Sequence, residues 1–89
     1  MEQRATLKVP DGKLLEVTVS SSDRIESVRV TGDFFLEPPA AREKLEAAIE
    51  GKPVDIDRET MLESIRAVDA QLIGFDATHL ADVTLEAIR

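Results

Sequence analysis

The sequence has no cysteine, no tryptophan and no tyrosine, and only three phenylalanines among 89 residues. The lack of cysteine rules out disulfides, a thiolate nucleophile, cysteine-based zinc sites and iron-sulfur ligation, and a reducing cytoplasm is the expected setting. With so few aromatics the core has to come from Leu, Ile, Val and Ala, whose burial contributes roughly 1 to 3 kcal/mol each, so modest stability is expected. Long apolar runs are also missing. None approaches the roughly 20 residues that cross a bilayer, and Met1-Glu2-Gln3-Arg4 has no apolar segment of a secretion signal. The chain is therefore read as neither secreted nor membrane-spanning. Basic charge is scarce too, with 11 Lys and Arg against 18 Asp and Glu for a net charge of -7. A phosphate backbone would be repelled by such a surface, and no basic stripe with interleaved aromatics offsets it, so no nucleic-acid partner is expected.

What is present suffices for one domain over residues 1–89. The hydrophobic fraction of 43% argues against disorder despite the net charge. Residues 4–9 alternate, with Ala5, Leu7 and Val9 on one side and Arg4, Thr6 and Lys8 on the other, the period of a half-buried strand. Pro10-Asp11-Gly12-Lys13 has the composition of a tight turn. A second strand is expected over residues 14–20 with Leu15, Val17 and Val19 inward, then a turn at Ser21-Ser22-Asp23. A third strand carries Ile25, Val28 and Val30. Short connections between three strands give an antiparallel meander, and the face opposite the core should be polar and wet.

The period then changes. Pro38-Pro39 can open a helix over about 39–50, striped by Ala41, Leu45, Ala48 and Ile49 and ended by Gly51. Asp57 reads as the N-cap of a second helix over 58–69, with Ile56 and Met61 as a hydrophobic staple and Leu62, Ile65 and Val68 continuing the stripe. Asp76 repeats the device with Phe75 and Leu80, and opens a third helix whose inner face carries Val83, Thr84, Ala87 and Ile88. Between the last two helices, Ala70-Gln71-Leu72-Ile73-Gly74 is too apolar for an exposed loop and is expected to cross the core. The fold class is α+β, a three-stranded antiparallel meander followed by about three helices packed on one face.

Residues that could carry chemistry have plainer uses. His79, the lone histidine, stands near a helix start and reads as a capping or surface residue. Asp55, Asp57 and Glu59 alternate but lack the glycine and closing glutamate of a calcium loop, so capping explains them. The four glycines are isolated from one another and form no phosphate-cradling loop. Ser20, Ser21 and Ser22 have no activating neighbour in sequence. Ser64 lies in Glu63-Ser64-Ile65 within a helix, unlike the Asp-Ser-Leu site of an acyl carrier. Lys13 follows a turn as a lipoyl or biotinyl acceptor would, but three helices do not suit that all-β domain. No catalytic, cofactor-binding or metal-binding residue is assigned.

The segment Thr31-Gly32-Asp33-Phe34-Phe35-Leu36-Glu37-Pro38 remains. Adjacent phenylalanines in extended backbone point to opposite sides, so burying one tends to expose the other; the other reading is a curled loop that buries both. Gly32 permits a sharp exit from the third strand, Asp33 can bond free N–H groups of the turn, and Pro38-Pro39 stiffens the far side. Gly32, Asp33, Phe34 and Phe35 are the expected partner-binding residues.

At this segment the sequence resembles the accessory, C-terminal domain of lipoate-protein ligases. The likeness is carried by Gly12-Lys13-Leu14-Leu15, by Ser21-Ser22-Asp23-Arg24-Ile25, by Val28-Arg29-Val30-Thr31-Gly32-Asp33-Phe34-Phe35, and by Leu45, Ile49 and Gly51. It covers nearly the whole chain, and Gly-Asp-Phe-Phe between a hairpin and an acidic helix is its most specific part. A chain that begins at Met1 looks like the free-standing small subunit of a split, two-subunit ligase. The resemblance implies a non-catalytic accessory subunit that supports ATP-dependent activation of lipoate to lipoyl-adenylate for protein lipoylation. In that family the catalytic subunit is a separate chain, and ATP, magnesium and lipoate are expected on it; the lipoyl-carrier domain is an indirect partner. Such folds also resemble iron-sulfur scaffold domains, whose activity depends on cysteines absent here. The alternative reading is a small acidic protein-interaction module unrelated to lipoylation.

Overall fold

Alternation of apolar and polar side chains becomes alternation of burial in the computed structural model, which describes residues 1–10 and 13–89. Strand β1 (Glu2–Lys8) buries Ala5 and half-buries Leu7, β2 (Leu14–Ser21) buries Leu15, Val17, Val19 and Ser21, and β3 (Ile25–Gly32) buries Ile25, Val28 and Val30. They pair antiparallel in the order β1-β2-β3, with Ala5 opposite Val17 and Val17 opposite Val30. The three-residue step from Ile25 to Val28 would break a period of two. A register shift between Ser20 and Ser21 absorbs it: Ser20 faces Ser27 and Ser21 faces Ile25, leaving Glu26 as the extra residue of a bulge. The turn expected at Pro10-Asp11-Gly12-Lys13 has its two central residues outside the described ones, and at its base the Val9 N–H donates to the Lys13 carbonyl at 2.8 Å. The outer face is polar as expected, with Arg4, Thr18 and Arg29 in one cross-strand row and Thr6, Glu16 and Thr31 in the next.

Three helices cover the inner face. Helix α1 (Ala41–Ile49) packs under β3, α3 (Ala77–Ile88) packs under β1 and β2, and α2 (Arg58–Arg66) packs against α1 and α3. Leu45, Ile49, Met61, Ile65, Leu80 and Val83 are fully buried between these elements and join Leu15, Val17, Val19 and Val30 in one core. Helix α1 begins two residues later than expected, because Pro38 and Pro39 form a preceding turn in which the Ala41 N–H donates to the Pro38 carbonyl at 2.9 Å. Helix α2 stops three residues early, at Arg66, although Val68 still packs against the core. Asp57 caps α2 by accepting from the Thr60 N–H at 3.1 Å, and Ile56 and Met61 are both buried, as a staple requires. Asp76 caps α3 by accepting from the N–H groups of Thr78 and His79, at 2.8 and 3.2 Å. Among the described residues no helix is long and apolar enough to cross a membrane.

The segment after α2 does not cross the core. Gln71–Ile73 forms strand β5, which pairs antiparallel with strand β4 (Phe35–Glu37) in a small ribbon separate from the main sheet. Only Leu36 of β4 is buried and Leu72 of β5 half-buried, while Gln71 and Ile73 are exposed. Pairing with β4 satisfies the backbone at the surface, so an apolar segment this short can lie at the edge and send alternate side chains outward.

Candidate docking surface

The end of β3 brings the four expected partner-binding residues to one edge of the molecule. Gly32 turns the chain with φ +147°, and a Cβ built there would stand 2.1 Å from the Leu14 carbonyl oxygen. Both the torsion and the close approach therefore exclude any larger residue. The next N–H, that of Asp33, donates to the same Leu14 carbonyl at 2.9 Å and continues the β2–β3 ladder by one bond. The Asp33 carboxylate was expected to bond free N–H groups of the turn. It makes no hydrogen bond among the described residues and is exposed, because the ladder already occupies the local N–H group.

The two phenylalanines separate as alternation requires. Phe34 is half-buried against the core, its ring 4.8 Å from that of Phe75 and inclined by 60°, the edge-to-face geometry favoured by aromatic quadrupoles. Phe35 is 72% exposed. Its register partner across the ribbon is Ile73, itself 40% exposed, so both side chains stand on the outer face of β4–β5. Leu14, whose carbonyl holds the turn, is also exposed. Leu14, Phe35 and Ile73 are three of the four large apolar side chains exposed among the described residues, and the same end of the fold supplies all three. Gly74 follows Ile73 with φ +100°, and a Cβ built there would stand 3.5 Å from Asp33 O and Phe34 Cβ, so the end of β5 lies close against the turn. A shallow depression of about 420 Å³ beside Phe35 is lined by Val30, Gly32, Phe34, Pro39 and Arg42 among others. The exposed acids Asp33 and Glu37 rim the patch. The Glu37–Pro38 peptide is cis.

Sequence reasoning missed Ile73 as a member of this surface and Phe75 as the buried support beneath Phe34. The alternation Gln71-Leu72-Ile73 was the available signal for the first, and nothing in the sequence signalled that Phe75 would meet Phe34.

The candidates set aside for chemistry have structural roles. His79 lies in the first turn of α3, where its Nδ1 accepts from the Asp76 backbone N–H at 3.0 Å and completes a capping box with the Asp76 carboxylate. Asp57 and Asp76 are both held below the usual carboxylate range, first by the side-chain hydroxyls of Thr60 and Thr78 and then by the backbone N–H groups they cap. Arg58 and Asp82 form an exposed ion pair at 2.6 Å that joins α2 to α3 and raises the Arg58 pKa. Among the described residues no three His, Asp or Glu side chains are grouped to hold a metal ion. Ser20 and Ser21 belong to β2, and Ser64 donates to the Thr60 carbonyl one turn back in α2.

No family model matches the sequence, and no curated protein matches it significantly. A solved structure does share its architecture: a chain from an archaeal lipoylation system, described as a bi-partite lipoate protein ligase and its E2 lipoyl domain from Thermoplasma acidophilum. The superposition has a TM-score of 0.71 at 20% identity and covers 100% of this chain and 96% of that one. The likeness is thus one of fold, and it spans the whole of this chain and nearly all of the other.

Proposed function

We propose that this chain is the accessory subunit of a bipartite lipoate-protein ligase, and that it supports ATP-dependent formation of lipoyl-adenylate on a separate catalytic subunit. The observation that carries this reading is the end-to-end fold likeness to a chain from a bi-partite ligase system. It joins the independent presence of Gly32-Asp33-Phe34-Phe35, the most specific part of the sequence resemblance, on an exposed and rigidly built surface. In this reading ATP, magnesium and lipoate bind the catalytic subunit, and the lipoyl domain meets this chain only through it. The accessory role is conformational: a preformed wall lowers the entropy lost when mobile adenylation loops order around lipoate and ATP. Phe35 is the anchor, with Ile73 beside it, and Phe34 holds the turn from below by packing on Phe75.

The test is reconstitution. The catalytic subunit alone and with this chain is assayed for lipoate-dependent pyrophosphate release, and separately for transfer from pre-made lipoyl-adenylate to a lipoyl domain. Activation is expected to need this chain more than transfer does. Phe35→Ala should weaken the complex by about 2 to 4 kcal/mol with unchanged melting, and Phe34→Ala should lower the melting temperature. Pyrophosphate release by this chain alone, or full activity of the catalytic subunit without it, would overturn the reading. If neither alanine variant alters affinity once folded, the partner docks elsewhere.

A further inference from the structure

The hydrogen-bond ladder shows where the backbone of β1 points. Met1 and Ser21 exchange bonds in both directions, at 3.0 and 2.9 Å, and at the other end of the hairpin the Val9 N–H donates to Lys13. In the β1–β2 register the residues between them that bond β2 are therefore Gln3, Ala5 and Leu7. The N–H and C=O groups of Glu2, Arg4, Thr6 and Lys8 then face away from the sheet, and none has a hydrogen-bond partner among the described residues. Their four side chains all lie on the polar outer face.

We propose that β1 pairs antiparallel with β1 of a second copy of this chain, about a twofold axis through Ala5, so that two three-stranded sheets join into one. The charges on the strand select this arrangement. Centred on Ala5, pairing sets Glu2 opposite Lys8 and Arg4 opposite Thr6, twice each by symmetry. Moving the axis by one residue toward the N-terminus sets Arg4 against Arg4, and moving it by one residue the other way sets Arg4 against Lys8. Both bring like charges together. Charged side chains ordinarily guard an edge against arbitrary strands. Here their order excludes the neighbouring registers and is self-complementary in one. On the inner face the same register places half-buried Gln3 opposite half-buried Leu7, and Ala5 opposite Ala5. The inference is independent of the proposed ligase role, since it uses the backbone edge of β1 in the three-stranded sheet, whereas Phe35 stands on the separate β4–β5 ribbon.

The test is sedimentation of the purified chain over a wide concentration range at low salt, with Glu2→Lys, Lys8→Glu and the double exchange, each checked for an unchanged melting curve. The wild-type chain should move toward a two-copy mass, each single variant should weaken self-association about tenfold, and the double variant should recover it. Glu2→Lys is decisive, because it brings the net charge of -7 closer to zero and would strengthen association if general repulsion were in control. Stronger association by Glu2→Lys, failure of the double variant to recover, or a one-copy mass at every concentration would overturn the proposal. So would single variants that leave self-association unchanged but lose affinity for a catalytic subunit, which would assign the edge to a different partner.

Discussion

The two edges of the main sheet are finished in different ways. Along β3 the outward N–H groups are covered by the chain itself: Ile25 donates to the Lys52 carbonyl at 2.9 Å, Val30 to the Glu46 carboxylate at 2.8 Å and Val28 to that of Glu50 at 3.3 Å. The connector between α1 and α2 continues the cover, since the Gly51 N–H donates to the Ile25 carbonyl, the Val54 N–H to that of Asp23, and the Arg24 guanidinium to that of Gly51. Along β1 nothing in the described fold answers the corresponding groups. A fold that spends two helix carboxylates to close one edge while leaving a seven-residue strand open at the other has one edge that is structural and one that is available.

The largest effect expected from breaking this contrast is at Glu46. Its side chain is mostly buried, and Glu46→Ala would leave the N–H of fully buried Val30 without an acceptor. A loss of about 1.5 to 3 kcal/mol in urea unfolding is expected, with Glu46→Gln recovering most of it because an amide oxygen still accepts. If Glu46→Ala unfolds like the wild type, the β3 edge is closed by packing and the carboxylate is incidental. An intermediate effect is expected at Asp76, which closes the start of α3 beneath the open β1 edge. Asp76→Ala should cost about 1 kcal/mol through loss of the cap. Because the folded carboxyl titrates below its unfolded value of about 3.9, the advantage of wild type over Asp76→Ala should be complete above that pH and vanish as pH falls through the folded value. Paired melts at neutral and acidic pH check the sign, and an advantage that grew on acidification would refute the cause given. The smallest effect is expected at the open edge itself, where Lys8→Glu in dilute solution should change monomer stability by about 0.5 kcal/mol or less. A large loss there would mean that β1 is held by side chains on its outer face.

Most of the main sheet and all three helices were legible because their periods run long enough to be counted. Val17, Val19 and Val30 alternate, Leu45 and Ile49 recur at helical spacing, and Asp57 and Asp76 stand where capping chemistry demands a short acceptor. The β4–β5 ribbon was not, since three residues carry too little period to distinguish an edge ribbon from a segment crossing the core. The opposite fates of Phe34 and Phe35 followed from strand geometry, but which ring went inward depended on Phe75, brought to the turn by Gly74 from a distant part of the chain. Glu46 and Glu50 were equally hard to foresee. In sequence they are two acids of a solvated helix, and only the placement of α1 beside β3 makes them acceptors for a strand.

The ribbon governs how the proposed docking surface comes into being. Phe35 precedes α1 and Ile73 follows α2, so the pair is adjacent only when the chain between them, both helices included, has returned to its starting edge. Closing that excursion is an entropic cost that falls on the surface itself. A partner that grips both side chains therefore selects the fully folded chain over forms in which the helical excursion has opened, and by mass action its binding stabilises that closure. Amide hydrogens of Phe35, Leu36 and Leu72 should exchange among the faster of the strand amides in the free chain and slow markedly in a complex, making recognition at this edge a readout of completed folding.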